Sequence, residues 1–317
     1  MKTIYKNKKI KFLIAGLALV LVASLGFLVQ SCSQDIIDEI SPNSNNQQSF
    51  NTKVNFSSKI INPFDCIGQY HNDGLRYVID KYNSKSELKG DNDKESLIKD
   101  LTKSFMKEND IQEVYNLSLS NENVLSTVEQ ILNKTITSDK IRLKSDIDGL
   151  LSSKQKFYCS KIESIFENKE ISSPQMLVDN INDIELDIIN SQSLTELEKD
   201  QLLIASAVAK YSSIFWIELL LEKDTKSIVR LKGDVETGNS FLDWWANKFL
   251  PKASEVIAAD FTGAASGAVM GAIAGGTVGS LAPGPGTVTV GVTGAVVGGS
   301  GSAIGSSAVE GFIVLFF

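Results

Sequence analysis

One stretch concentrates the side-chain types that do chemistry: Asn62-Pro63-Phe64-Asp65-Cys66-Ile67-Gly68-Gln69-Tyr70-His71-Asn72-Asp73-Gly74-Leu75. It holds one of the chain's three cysteines and its single histidine. A thiol beside an imidazole is a nucleophile–base pair, so a Cys66–His71 dyad is one reading. The short gap speaks against it, because nucleophilic cysteines recruit a His that is distant in sequence. The residue types fit a structural role better. Asn62-Pro63 and Asp65 suit a turn and a helix cap, with His71 and Asn72 on the first turns of the helix. No catalytic residue is assigned. One His and two Cys make no recognised ligand spacing, so neither a metal nor a cofactor is expected.

Other polar groupings carry less. Asp146/Asp148 and Asp183/Glu185/Asp187 read as solvated helix faces. There is no Walker A, GxSxG, HExxH or dinucleotide-binding GxGxxG. The glycine-rich segment near the C-terminus lacks the Lys and the preceding strand of a phosphate loop. The reading is therefore non-enzymatic.

The elements that must position these residues are helical. Leu75, Val78, Ile79 and Tyr82 recur at three and four, as do Leu97, Ile98, Leu101 and Phe105. Val124, Val128, Ile131 and Leu132 mark another helix. Ser173-Pro174 supplies an N-cap and N1 pair ahead of Leu177, Val178, Ile181 and Ile184. Ser193 and Glu196 have capping-box spacing and open a helix to about Glu222. Residues 202–221 carry two charges, Lys210 and Glu218. That length spans a bilayer, but mid-span charges are expensive in lipid. A buried central helix with its charges at a solvent edge is expected, with Phe215 and Trp216 in the core. The fold class is all-α, a helical bundle over 55–232 followed by a Gly/Ala-rich two-helix hairpin.

Residues 1–31 carry five lysines and no acid, and an apolar run covers 12–29. This is a signal-peptide layout. The mature chain then has 26 basic and 38 acidic residues, a net charge of −12. Nucleic acid is excluded as a partner, since it demands a basic face. Residues 32–54 read as an anchor site and a flexible polar tether. With Cys32 set aside, Cys66 and Cys159 are an even pair in an oxidising compartment, and a disulfide between them or two buried thiols both remain open.

From Phe261 to Phe317 there are 57 residues and one charge, Glu310. Gly263, Gly267, Gly271, Gly275 and Gly279 fall at four-residue spacing, on one helix ridge. Each mid-helix Gly costs about 1 kcal/mol against Ala, and close helix–helix approach is the usual compensation. Pro283, Gly284, Pro285 and Gly286 turn the chain. The hairpin is placed at 258–317, with arms at about 258–281 and 287–309 that are each ~35 Å long, enough to cross a bilayer. Gly294 and Gly298 head a matching ridge on the second arm, and a parallel one runs through Gly291, Ala295 and Gly299. A spare ridge would serve a second copy or the bundle. A connector, 233–257, holds Trp244 and Trp245 beside Lys248 and Lys252. They read either as an interfacial aromatic belt or as an amphipathic helix docked on the bundle.

Four resemblances follow. Val29-Gln30-Ser31-Cys32 resembles a bacterial lipobox, which implies lipidation of Cys32 and, with Ser33 next, outer-membrane sorting. Asp35, Asp38 and Glu39 loosely resemble the surface-export signals of Bacteroidota lipoproteins. Asn62–Leu75 resembles the NPxDxxGxxHNxxL stretch of uncharacterised secreted proteins of Bacteroidota, which carries no assigned activity. The 260–310 region is similar to the glycine-zipper segments of envelope lipoproteins. That implies membrane lipid as a partner, self-association through the hairpin, and a role in envelope integrity or membrane perturbation. Two other readings stay open: a bacteriocin-like membrane-active toxin, and a tethered soluble helical binding module with the hairpin in its core. The protein partner, if any, is not named by the sequence.

Overall fold

A computed structural model describes residues 62–84, 91–109, 149–228, 245–279 and 294–305. The readings of the signal peptide, Cys32, the tether, the helix around Val128, Asp146/Asp148, Trp244 and the Pro283–Gly286 turn lie outside these residues. The architecture is all-α. In chain order the helices are α1 (Asp65–Asn83), α2 (Asp91–Glu108), α3 (Ser153–Glu167), α4 (Pro174–Asn190), α5 (Glu196–Ile228), α6 (Leu250–Gly279) and α7 (294–305). A single π turn, Trp245–Phe249, leads into α6.

Local chemistry sets the helix starts. Ser152 caps α3 with a full capping box: Gln155 N–H donates to Ser152 Oγ at 3.2 Å, and Ser152 N–H to Gln155 Oε1 at 3.0 Å. Ser173 accepts from Met176 N–H at 3.1 Å, with Pro174 at N1. At α5 the capping box is formed by Thr195 and Glu198, two residues beyond the expected Ser193 and Glu196. Thr195 N–H donates to Glu198 Oε2 at 2.7 Å, and Glu198 N–H to Thr195 Oγ1 at 3.3 Å. Both pairs satisfy the i, i+3 rule, and the one adjoining the apolar run prevails.

The core is organised round α5. It packs on α1, α3, α4 and α6, and residues 201–217 are all buried. A helix surrounded on every side has no polar face to spare, which is why its apolar run reads like a membrane span. The structure corrects one expectation here. Glu218 is exposed, but Lys210 is not at a solvent edge: it is 2% exposed.

The hairpin region also departs from expectation in its bounds. The first arm does not begin at 258, because α6 runs unbroken from Leu250. The 233–257 connector therefore ends in helix. Residues 294–305 are buried throughout.

Candidate functional site: a buried ion cluster and a histidine clasp on one helix

The Asn62–Leu75 stretch turns and becomes α1. Asn62 Oδ1 accepts from Phe64 N–H at 2.9 Å, an Asx turn, and Asp65 N–H donates to the Asn62 carbonyl at 3.0 Å. The turn aims the Asn62 amide inward. Its Nδ2 donates to Glu185 Oε1 at 2.7 Å and to the Leu203 carbonyl at 2.8 Å. Ser206 Oγ donates to the same Glu185 oxygen at 2.9 Å.

The second Glu185 oxygen meets Lys210, whose Nζ lies 2.8 Å from Oε2. Nζ also donates to Asn182 Oδ1 at 3.1 Å and pairs with Asp65 Oδ1 at 2.7 Å. An ammonium has three N–H bonds; Glu185 and Asn182 accept two of them, and Asp65 Oδ1 stands in ion-pair range. Two carboxylates thus share one cation in a site where Glu185 is fully buried.

Charge in such a place is costly unless paired. Burial alone would lower the Lys210 ammonium, but Glu185 and Asp65 outweigh it and hold the group above the usual lysine range. Asp65 takes the surplus negative charge. Burial pushes its carboxyl up to about 6, against the pull of Lys210 and with a push from Glu185. Its side chain is 19% exposed, so it is the member placed to exchange a proton. Burial, and then the charge of Asp65, also push the Tyr211 phenol up.

Glu185 and Lys210 are corrections to the solvated faces expected of them. The signal was present. Val178, Ile181, Asn182, Glu185 and Ile188 share one helical stripe, so Asn182 and Glu185 sit on the apolar face of α4. Lys210 lies mid-run in α5. An internal acid and an internal base on two adjacent apolar helices point to each other.

Further along α1 the stretch makes a second junction. His71 is fully buried. Its Nδ1 lies 3.2 Å from Asn72 Oδ1, and the ring also hydrogen-bonds the backbone of Ala303 on α7. The Asn72 amide is fixed in turn, its Nδ2 donating to the Tyr211 carbonyl at 3.0 Å. Burial lowers the imidazole to about 4, so His71 is neutral at pH 7.

Glycines allow the approach on both sides. A β-carbon at Gly68 would stand 2.6 Å from the Ala207 carbonyl oxygen, and one at Gly74 would stand 2.5 Å from Ile304 Cδ1. Cys66 and His71, five residues apart on a helix, leave the axis about 140° from each other. The helix does not turn them onto one face as a dyad.

The zipper glycines are used inside the chain. A β-carbon at Gly267 would enter the Gly298 carbonyl, and one at Gly271 the Gly294 carbonyl. The pairing runs in opposite directions, so α6 and α7 are antiparallel arms in backbone contact. The parallel ridge faces the bundle: a β-carbon at Gly299 would stand 2.8 Å from Ile204 Cγ2 of α5. Gly263 is buried, while Gly275 and Gly279 continue the same helix. Asp260 fastens this arm to α5. It accepts hydrogen bonds from Ser212 Oγ and, at 3.0 Å, from Trp216 Nε1. This buried acid, one residue before the segment whose single charge is Glu310, was not singled out by the sequence.

Two readings that the sequence leaves open are narrowed. Trp245 is fully buried rather than interfacial. It stacks on Phe249 at 4.6 Å and donates from Nε1 to the Asn168 carbonyl at 2.9 Å. An indole with both a stacking partner and an acceptor inside the bundle has no reason to seek headgroups. The Cys66–Cys159 bridge is not formed: Cys159 keeps its thiol on α3, and α1 and α3 both pack on α5. Among the described residues no three His, Cys, Asp or Glu side chains gather as a metal site. No family model, curated protein or solved structure matches the chain.

Proposed function

We propose that the chain is a lipid-anchored, non-catalytic helical domain of the bacterial cell envelope. Its glycine-zipper hairpin forms core at neutral pH rather than a standing membrane span. One observation carries this reading. The Gly267/Gly271 ridge is taken up by Gly298 and Gly294, and the arm that bears them is buried. Surfaces so used are not available to lipid or to a second copy unless the domain opens. The polar groups support a non-enzymatic role, because Lys210 and Glu185 spend their hydrogen bonds on one another and on neighbours. Such a domain serves as a binding module for a partner held near the membrane.

A second reading keeps the hairpin as a membrane element, in envelope integrity or in toxin-like attack. Its support is that Val256–Ile273 is long and apolar enough to cross a bilayer. Flotation of the Cys32→Ser chain with phosphatidylcholine vesicles at pH 7.5 separates the two. On the first reading the protein stays with the soluble fraction, and a form lacking 258–317 fails to fold. Flotation of the full form that resists carbonate would establish the second.

A further inference from the structure

Two of the large apolar side chains exposed among the described residues stand close in sequence: Leu150 at 47% and Phe157 at 52%. Leu150 lies just ahead of the Ser152 cap, and Phe157 is on the second turn of α3. That helix turns Tyr158, Ile162, Ile165 and Phe166 into the bundle. At about 100° per residue, Phe157 falls on the far side, with Lys154 and Lys161 on one flank and Lys156 on the other. Lys154 and Lys156 are exposed. From Gly149 to Ile162 there are three lysines and no acid, in a mature chain whose net charge is −12.

We infer that this face of α3 is a membrane-contact surface: Phe157 and Leu150 enter the interface of a bilayer that carries anionic phospholipid, and Lys154, Lys156 and Lys161 meet its headgroups. The inference rests on the reading that the chain is anchored through Cys32.

The ring is framed by charge. Lys161 Nζ lies 5.1 Å from the centre of the Phe157 ring and 2.9 Å from Asp187 Oδ2 on α4. Phe157 meets Tyr158 edge-on, their centres 5.3 Å apart, yet half of it stays open to solvent. An apolar ring among ammonium groups matches an interface that is apolar beneath and anionic above. Lysine stems lie along apolar surface while their heads reach phosphate. Asp187, which holds Lys161, is exposed at the edge of this frame, and Asp179 and Asp183 of α4 are exposed as well. Acids more than about 10 Å from the contact are largely screened at ordinary salt. Nearer ones repel an anionic surface, so the domain docks in one orientation, with α3 towards the bilayer.

The anchor sets how strong the face must be. Each lysine near an anionic surface, and a single ring in the interface, contributes a modest factor. The chain between Cys32 and Asn62 reaches at most about 100 Å, which keeps a lipidated domain beside the membrane. A tethered contact then forms as an intramolecular one, and a weak face is enough to lay the domain down with its hairpin core intact.

The test uses the Cys32→Ser chain, so that the face is read whether or not Cys32 carries lipid in the cell. Co-sedimentation is measured at pH 7.5 with vesicles of phosphatidylcholine alone, or of equal parts phosphatidylcholine and phosphatidylglycerol. Expected is binding to the phosphatidylglycerol vesicles only, present at about 0.05 M salt and lost at about 0.5 M, and released by carbonate. Phe157→Ser should weaken this binding about tenfold and leave its salt dependence unchanged. The pair Lys154→Gln and Lys156→Gln should weaken it about tenfold or more and flatten the salt dependence. All three side chains face solvent, so the urea midpoints should stay where they are.

No binding to phosphatidylglycerol vesicles at low salt, or binding that both variants leave unchanged, would overturn the contact face and leave the core and anchor readings standing. Binding of polyglutamate through the same lysines, without vesicle binding, would assign the face to an acidic protein and overturn the lipid contact. Binding to phosphatidylcholine alone that resists carbonate and survives in both variants would overturn the core reading and the contact face together.

Discussion

Lys210 is the residue on which most of the polar core depends. It neutralises Glu185 and Asp65 in a site where an unpaired charge costs several kcal/mol. Replacement by Met keeps the volume and removes the cation. Lys210→Met should lower stability by about 3–5 kcal/mol, measured by urea unfolding at pH 7.5, and Glu185→Gln should cost less because the remaining pair, Lys210 with Asp65, is balanced. A loss below about 1 kcal/mol for Lys210→Met would mean that the cluster is wet. A second expectation concerns pH. His71 withdraws stability as pH falls from 6.5 to 4, by about 1.4 kcal/mol per unit. Asp65 and Asp200, raised to about 6 and about 7, return stability over overlapping ranges. His71→Gln should therefore be more stable relative to the parent by about 2 kcal/mol at pH 5 than at pH 7.5, read from the two urea midpoints. Asp65→Asn should instead gain at pH 7.5 and lose that gain below pH 4.

At the scale of elements, much was legible. Three- and four-residue spacings placed α1, α2 and α4, and Ser173-Pro174 placed a cap where one is found. The α5 cap was misplaced by two residues because both Ser193/Glu196 and Thr195/Glu198 satisfy the spacing. The acidic triplet at 183–187 looked solvated because every second residue is charged. On a helix that pattern sends Glu185 inward and Asp183 and Asp187 outward. The paired tryptophans were ambiguous for a different reason: an interfacial belt and a docked turn use the same residues, and the Asn168 carbonyl that decides for Trp245 lies 77 residues away. The glycine ridge makes a sharp expectation. Ala exceeds Gly in helix propensity by about 1 kcal/mol, yet Gly267→Ala should destabilise by about 1–3 kcal/mol, since its methyl would meet the Gly298 backbone. Gly149→Ala, with open space around the added carbon, should be neutral or gain up to about 1 kcal/mol. Thermal unfolding of the two variants gives the comparison, and equal shifts would deny the backbone contact.

For the whole molecule, the decisive question is what the least charged fifth of the chain does. Composition favoured lipid, although Gly and Ala are weakly apolar and also suit a dry core. The arrangement of α5, α6 and α7 favours the core: α5 is covered in part by the hairpin, Asp260 ties α6 to Ser212 and Trp216, and Ile304 fills the space at Gly74. Helices that close the centre of a domain open only with global unfolding. The most direct measurement is amide hydrogen exchange at pH 7.5 on the Cys32→Ser chain in buffer without detergent or lipid. Peptides covering 262–273 and 294–305 should exchange as slowly as those covering 202–217, with all three released together by urea. Exchange of the hairpin peptides orders of magnitude faster than α5, in a protein otherwise folded, would contradict the hairpin's place in the core.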